Sequence, residues 1–253
     1  MSTFLLGDDP YLHLARGKVR NAYHVHKFGR NPSPANGIEE TIWDGSNLYP
    51  WATWNAGADN VYLKSDDVDD AGITVTIQGL DADYNLQNET VTLDATNPVT
   101  TAVASANTYI RLFRMYNSSS QAAEGDITAH YGSGAGTLLA KITTGLEQTQ
   151  MSVYSVPAGH VGYLFALDVS VSANDGVEVY YYIRQPNGVF RLHHTGNTYG
   201  GQYHYDFKVP LVIPEKTDID LRCIAGTGAA EISGIFNLII IKDNEFNEWS
   251  SGT

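Results

Sequence analysis

The chain has 253 residues, with 28 acidic and 15 basic side chains, so its formal net charge is −13 with histidine neutral. Hydrophobic residues make up 43% and aromatic residues 11% of the sequence, which is enough for a sizeable core and excludes a disordered chain. An acidic chain without a run of lysine or arginine lacks the charge that binds phosphates, so we expect no direct nucleic-acid partner.

Cys223 is the only cysteine, which excludes an internal disulfide and a zinc site built from several cysteines. It alternates with Leu221 and Ala225, and this spacing predicts a buried thiol on their face of a strand. Residues 1–10 carry no basic group, and the longest apolar runs are far too short to cross a bilayer. The sequence therefore predicts no secretory signal, no membrane partner and synthesis in the cytoplasm.

Residues 1–59 have weak periodicity and are interrupted by proline and glycine, which predicts an extended N-terminal arm. One strand-like piece, Asn21–Phe28, places Tyr23 and Val25 on the same face. Rings on an irregular arm are expected to anchor it in a pocket of its own chain or of a neighbouring subunit rather than to stack on sugars. The predicted anchors are Tyr23, Phe28, Trp43, Tyr49, Trp51 and Trp54.

Residues 60–145 alternate with a period of two and are predicted to form a first β-sandwich domain. Its clearest element is a hairpin in which Ile73–Ile77 and Glu89–Leu93 flank the turn residues Leu80–Asn85. The Gly132–Gly136 loop is predicted to be a hairpin tip rather than a phosphate cradle, because no lysine and serine or threonine pair follows it.

Residues 146–253 are predicted to form a second, jelly-roll-like domain. Turn signals such as Ala173–Gly176 and Thr195–Asn197 separate its strands. In the whole chain, only Ala122–Gly125 and Thr144–Gln150 are expected to hold a helical turn. The predicted strands are Met151–Val156, Tyr163–Val171, Val177–Arg184, Val189–His194, Tyr203–Val209, Asp218–Ile224 and Ile232–Lys242. The fold class is therefore all-β, with two antiparallel β-sandwich or jelly-roll-like domains behind the arm.

No local catalytic motif is present, so we predict no catalytic residue and no enzyme activity. Asp168 and Glu178 lie on adjacent predicted strands and could pair as in a glycosidase, but solvent-facing carboxylates are the preferred interpretation. The Asp66–Asp70 cluster lacks the ligand pattern of an EF-hand and is expected to be a solvated loop, with an improvised calcium site as the alternative. His24 and His26 share a strand face without an identifiable third ligand, so no metal and no other cofactor is predicted.

Tyrosines of the second domain are the candidates for a carbohydrate-stacking platform, since a ring on an exposed face can stack on a sugar. The candidates are Tyr180, Tyr181, Tyr182, Tyr199, Tyr203 and Tyr205. Among them, Tyr199, Tyr203 and Tyr205 are the possible ligand-facing aromatics.

Several segments resemble a family of structural proteins of tailed bacteriophages, found in marine phages and prophages. They are Arg20–Pro32, Glu40–Gly45, Thr74–Asn85, Glu89–Leu93 and Tyr154–Gly159. The resemblance implies a non-enzymatic virion component, and leaves open a capsid decoration or cement protein, a head–tail junction protein, or a tail or head fibre with receptor or carbohydrate binding. The partners it implies are other copies of the chain, with a trimer preferred on symmetry grounds, and other virion proteins such as the major capsid protein.

Overall fold

The computed structural model describes residues 9–94, 103–226 and 231–242, with the side chains of residues 173–175 outside this description. Within these residues, fourteen strands account for most of the structure, so the predicted all-β fold is confirmed. The first seven strands are β1 Ala22–Asn31, β2 Glu39–Thr41, β3 Asp59–Ser65, β4 Thr74–Leu80, β5 Leu86–Thr92, β6 Val103–Tyr109 and β7 Arg111–Asn117. The others are β8 Ile127–Tyr131, β9 Leu138–Ile142, β10 Val153–Ser155, β11 His160–Arg184, β12 Arg191–Ile213, β13 Asp218–Ala225 and β14 Ile232–Lys242.

Among the described residues, helical structure is confined to short segments that were not expected from the sequence. Helix α1 covers Pro10–Ala15, and 3-10 turns cover Trp51–Ala56 and Val68–Asp70. The predicted helical turns at residues 122–125 and 144–150 contain bends and turns instead. No helix of the described segments is both long enough and apolar enough to span a membrane.

Strands β3 to β9 form two small sheets. One has the strand order β6-β3-β8-β9 and the other the order β5-β4-β7, and both contribute to one buried cluster. The predicted hairpin is present as β4 and β5, with Asp81 Oδ1 accepting hydrogen bonds from the backbone N–H of Asp83 and Asn85 at 2.9 and 2.8 Å. An aspartate that binds its own turn in this way fixes the register of the two strands.

The large sheet is built around β11 and has seven strands. The first half of β11 pairs with β14, which in turn pairs with β1, whereas the second half pairs with β13. Strand β12 pairs with both halves of β11. The two halves of β11 therefore belong to two layers that face each other across a buried cluster.

The long ribbon of β11 and β12 folds back on itself. His194 and Tyr205 lie on the same strand, and a straight strand would hold them roughly 35 Å apart, yet their ring centroids are 4.2 Å apart. The bend falls at Gly200 and Gly201, whose φ values of +70° and +90° suit glycine. A side chain at Gly196 would place its Cβ 2.3 Å from the Tyr203 ring, so the close approach of the two halves of β12 requires glycine there.

Two of the predicted strand ends are wrong. Residues 173–176 and 195–197 were expected to be turns that separate strands, but both stretches are continuous with the strands around them. The register shift between Val171 and Gly176 shows why: polar and glycine residues here make a bulge and a bend inside one strand.

Residues 1–59 were expected to form an extended arm, and the structure corrects this expectation over the part that it describes. All ten residues of β1 pair with β14, from Ala22 opposite Ile241 to Asn31 opposite Ile232, and β2 pairs with β13. The backbone groups of β1 that face β14 and those of β2 that face β13 are therefore paired inside the chain's own sheet. The prediction was wrong here because a strand as short as β2, with only three residues, is too short to show hydrophobic periodicity in the sequence.

Cys223 is fully buried between Leu221 and Ala225 of the same strand face, as predicted. Burial, together with nearby carboxylates, raises the pKa of its thiol to about 12. Such a thiol is an inert core group. The division of the chain into domains near residue 145 stays a prediction.

Candidate interaction surfaces

The tryptophans predicted as anchors lie in the core of their own chain. Trp43, Trp51 and Trp54 are buried together with Tyr49, and the ring centroids of Trp43 and Tyr49 are 5.3 Å apart. Trp51 continues the row, with its centroid 4.8 Å from that of Tyr49. Rings that are already covered have no apolar surface to offer a neighbouring subunit, which corrects the expectation of intersubunit anchoring for these four.

Tyr23 and Phe28 are the remaining predicted anchors, and both are half-buried on β1. Each keeps part of its surface in solvent, so a contact with another subunit is still sterically open to them. Their role at an interface stays a prediction.

Asp218 is buried on β13 between two arginines. Arg111 binds it in a bidentate manner, with Nε 2.7 Å from Oδ1 and Nη2 3.0 Å from Oδ2. Arg184 donates to Oδ2 from Nε at 2.9 Å and from Nη2 at 2.7 Å, and Ser155 Oγ donates to Oδ1 at 2.5 Å. One carboxylate thus holds two guanidinium groups through charge-assisted hydrogen bonds, which are the strong class.

Asp220 lies two residues further along the same strand face and is also fully buried. Its carboxylate accepts hydrogen bonds from Trp51 Nε1 at 2.7 Å, Thr41 Oγ1 at 2.9 Å and Arg222 Nε at 2.8 Å. Burial raises the pKa of Asp220, although the Arg222 charge and the hydrogen bonds act in the opposite direction. Arg222 Nη1 also donates to Glu39 Oε1 at 2.7 Å.

We call the group Asp218, Asp220, Arg111, Arg184 and Arg222 the aspartate clasp. Its arginines stack on rings: Arg111 and Arg184 lie 5.7 and 5.3 Å from the Trp51 centroid, and Arg184 and Arg222 lie 4.6 and 4.9 Å from the Phe190 centroid. The clasp joins the N-terminal segment, β7, the β11–β12 ribbon and β13. Every acceptor and cation in it is engaged within the chain, so the arrangement is suited to holding these parts together.

The clasp was not predicted, although its strand carries a pattern in the sequence. Along Asp218–Cys223, charged and apolar residues alternate strictly. Such alternation normally marks a strand with one face in solvent. Here both faces are buried, because Trp51 and Arg111 cover the charged one.

Strand β12 carries the predicted ligand-facing tyrosines and forms an edge of the large sheet, pairing only with β11 among the described strands. Tyr199 stands at the bend with 82% of its surface exposed. Tyr203 is half-buried with its hydroxyl 2.5 Å from His194 Nε2, and Tyr205 stacks on His194. The bend therefore brings His194 against Tyr203 and Tyr205 and leaves Tyr199 apart from them.

Apolar side chains extend along the same exposed strand. Val209 is 81% exposed, and Leu192 and Val212 are exposed as well. Exposed polar residues such as Asp206 and Lys208 lie between them, and on an edge strand these apolar side chains are available for contact with another surface. We refer to the side chains of Leu192, Tyr199, Tyr205, Val209 and Val212 as the β12 edge.

His204 is an exposed residue of β12 that lies between two carboxylates. Its Nδ1 is 2.6 Å from Asp168 Oδ1 and its Nε2 is 3.0 Å from Asp206 Oδ2. Hydrogen bonds to Asp168 and then to Asp206 raise its pKa, since both partners favour the charged imidazolium. Asp168 is thus engaged by His204, and Glu178, placed on an adjacent strand by the sequence analysis, lies on the same strand β11 and hydrogen-bonds to Tyr180.

The acidic loop uses its carboxylates to hold backbone groups. The side chain of Asp70 is buried, with Oδ1 accepting from the N–H of Glu124 at 2.8 Å, and Asp67 Oδ1 accepts from the N–H of Asp69 at 2.9 Å. On β1, His24 and His26 share one partner, Asn237 Oδ1, at 3.2 and 2.8 Å. Across residues 9–94, 103–226 and 231–242, no three His, Cys, Asp or Glu side chains are placed to hold a metal ion together.

Lys27 is a buried cation on β1, with 7% of its surface exposed and its ammonium donating to the carbonyl oxygen of Phe113. Burial, and secondarily the charge of Arg114, lowers the pKa of Lys27 to about 7. In the unfolded chain a lysine has a pKa of about 10.4, so between these values the unfolded state binds more protons and stability rises with pH.

We therefore expect Lys27→Met to flatten the pH dependence of stability. Between pH 7 and 9 the free energy of unfolding of the wild type should rise by about 2 kcal/mol relative to the variant. Urea denaturation at several pH values measures this difference. Lys141→Met is the control, because Lys141 pairs with Asp126 at the surface at 2.6 Å, and it should follow the wild-type curve. If the free energy of unfolding depends on pH in the same way for the wild type and Lys27→Met, the lowered pKa of Lys27 is contradicted.

Comparisons with known proteins give no family. No protein-family model matches the sequence, and no curated protein matches it either. Among solved structures, the chain is similar to that described as "Structure of infectious bursal disease virus Gt strain", with 11% identity, a TM-score of 0.24 and coverage of 90% of this chain and 74% of that one. The structure of the Gx strain has 11% identity, a TM-score of 0.25 and coverage of 89% of this chain and 73% of that one. The crystal structure of the infectious bursal disease virus VP2 subviral particle has 10% identity, a TM-score of 0.24 and coverage of 90% of this chain and 74% of that one. TM-scores this low do not establish a common fold and assign no function to this chain.

Proposed function

We propose that this chain is a non-enzymatic structural component of a tailed-phage virion, and more closely a capsid decoration or cement protein that stabilises the shell through subunit contacts. Two observations support the proposal. Segments of the sequence resemble phage structural proteins, and the fold leaves an edge strand, β12, that carries exposed apolar and aromatic side chains. The second observation carries the argument because it concerns what the molecule can bind.

The β12 edge extends along both halves of a strand of 23 residues that bends at Gly200 and Gly201. Each half has about the length of an ordinary strand, roughly 3–10 residues. A free edge presents unpaired N–H and C=O groups that attract another strand, and charge and proline protect such edges. On β12 the charges of Asp206 and Lys208, together with Pro210, protect part of the edge, while Tyr199, Val209 and Val212 stay exposed. Aromatic residues such as Tyr199 and Tyr205 are also enriched at protein interfaces. We infer that another subunit covers this edge in the particle.

The partner at the β12 edge is either a second copy of the chain or a different virion protein such as the major capsid protein. Contacts between copies would build a homo-oligomer, for which a trimer is the preferred state because closed assemblies of identical subunits are symmetric. The net charge of −13 keeps free copies apart before assembly. The proposed location is the virion, after synthesis in the host cytoplasm.

A tail or head-fibre protein that binds a receptor or carbohydrate is the second candidate. Tyr199 favours it, because this exposed ring lines an open cavity together with the polar side chains of Glu178, Asn197 and Thr198. A ring beside hydrogen-bonding groups is the combination that recognises a sugar.

The two candidates predict different effects of substitutions on β12. Val209→Asp should reduce incorporation into particles roughly tenfold or more, because a charge in the centre of an apolar interface is costly. Its thermal melting should be unchanged, since Val209 is exposed. Particle composition and solution mass measure the effect. Val68→Asp, exposed on a different part of the fold, is the matched control and should assemble normally.

Tyr199→Ala separates the alternatives. If the chain is a decoration or cement protein, this variant retains whatever glycan-array signal the wild type gives. If Val209→Asp assembles normally and Tyr199→Ala loses glycan binding, the receptor-binding function replaces the one proposed.

A further inference from the structure

A cavity of about 380 Å³ lies between β1 and the three-stranded sheet of β4, β5 and β7. Its volume is in the range of small-molecule sites. On one side it is lined by β1, and on the other by residues that include Leu86, Phe113 and Arg114. The cavity is separate from the β12 edge, so it is independent of the assembly role proposed for that edge.

Two cations line this cavity, and no acidic side chain does. Lys27 donates to the carbonyl oxygen of Phe113, and within the described residues neither Lys27 nor Arg114 forms an ion pair with a carboxylate. This pairing of like charges stands out in a chain whose net charge is −13. Buried charges are normally paired, because an isolated one is costly.

Arg114 also has an unused donor. Its Nη2 donates to Gln148 Oε1 at 3.1 Å and its Nη1 lies 3.5 Å from Gln78 Oε1, while its buried Nε has no acceptor among the described residues. Amide oxygens satisfy hydrogen bonds without neutralising the guanidinium charge. The Arg114 guanidinium therefore keeps one donor without an acceptor and its full positive charge, and no acidic side chain lines the cavity to balance that charge.

Apolar and aromatic side chains form about half of the remaining cavity wall, and the other lining residues are polar: His24, His26, Gln78, Asn88 and Thr149. Val25, Phe28, Leu86, Phe113 and Tyr154 are among its lining residues. Such a wall binds a hydrocarbon or aryl group by burial of apolar surface.

We propose that this cavity binds a small carboxylic acid with an apolar body, its carboxylate placed between Lys27 and Arg114 and its body against the apolar wall. A carboxylate supplies the missing counter-charge and accepts hydrogen bonds from both cations. The lowered pKa of Lys27 is consistent with this assignment, because it reflects a buried ammonium without a counter-ion. A bound anion would favour the charged form again.

Isothermal titration of the full chain with octanoate at pH 7, below its micelle concentration, tests the proposal. Saturable binding is expected, and Lys27→Met and Arg114→Met should each weaken it about tenfold or more through loss of a charge-assisted hydrogen bond. Lys141→Met is the matched control and should bind as the wild type does. Circular dichroism melts of all variants verify that they fold.

Two further probes separate the charge from the apolar body. Octan-1-ol has a similar tail without the carboxylate, and inorganic phosphate has charge without a tail, so both should bind about tenfold or more weakly than octanoate. Equal binding of octanol would show that the cations play no part and would overturn the proposal. Equal binding of phosphate would reduce the site to a general anion site, and absence of saturable octanoate binding would also overturn it.

Discussion

A chain that lacks residues 1–59 is expected not to fold cooperatively. The deletion removes β1 and with it the whole ladder to β14, together with β2 and its pairing to β13. It also removes buried Trp51 and Trp54, and loss of a single buried tryptophan side chain typically costs about 3–5 kcal/mol. Because a domain is stable by only about 5–15 kcal/mol, the sum exceeds what the fold can lose. Far-UV circular dichroism during a thermal melt measures the outcome.

Single substitutions in the same segment measure how much individual side chains contribute to the free energy of unfolding. Trp51→Ala should lower the free energy of unfolding by about 3–5 kcal/mol, since the variant loses a buried ring and the donor to Asp220. Val19→Ala is the control, because Val19 is exposed, and it should change stability by about 0.5 kcal/mol or less. A truncated chain that keeps native β signal and melts cooperatively would show that the segment is dispensable for the core.

Asp218→Ala is expected to destabilise the protein by about 3–5 kcal/mol, because it leaves the guanidinium groups of Arg111 and Arg184 buried without their carboxylate. The effect should be much larger than that of the lost side-chain volume, since uncompensated buried charge is the main cost. Urea denaturation at neutral pH gives the difference in free energy.

Asp206→Ala provides the matched control for the clasp. Asp206 also pairs with a basic side chain, His204, but at an exposed site of β12, so its loss should change stability by no more than about 0.5 kcal/mol. If both aspartate variants lose the same stability, the clasp contributes nothing beyond an ordinary surface ion pair.

The sequence predicted those parts of the fold whose signals are local. The β4–β5 hairpin follows from period-two alternation around the turn at Asp81, and the buried Cys223 follows from its place in an alternating strand. Helix α1 also had a local signal, because Asp9 and Pro10 form an N-cap with proline in the first turn, but a helix of six residues is too short to show periodicity.

Pairing between distant segments had no such signal. Alternation of Tyr23 and Val25 marked β1 as a strand, yet nothing in the local sequence names β14 as its partner. The bend of β12 at Gly200 and Gly201 was not predicted either, because a glycine in the sequence can mark the end of a strand or a kink within it. Tertiary contacts decide both cases.

The same distinction between local signals and distant contacts applies to the predicted surface residues. Tyr199 is exposed, which is consistent with its selection as a ligand-facing ring, whereas Trp51 was assigned to an arm because its surroundings in the sequence are irregular. Its partners, Asp220 and Arg184, lie far along the chain. An irregular segment can therefore be as deeply packed as a strand when distant residues supply its contacts.

The pairing of β1 with β14 also sets the timing of folding during synthesis. Ala22 meets Ile241, so the large sheet cannot close until Lys242 has left the ribosome. At about 5–20 residues per second, β1 waits roughly 10–40 s for its partner to be made. During that interval its hydrogen-bonding groups are open to other nascent chains, and contacts of such long sequence separation form slowly even afterwards. Ribosome-associated chaperones and slow elongation therefore bear directly on the yield of correctly folded copies.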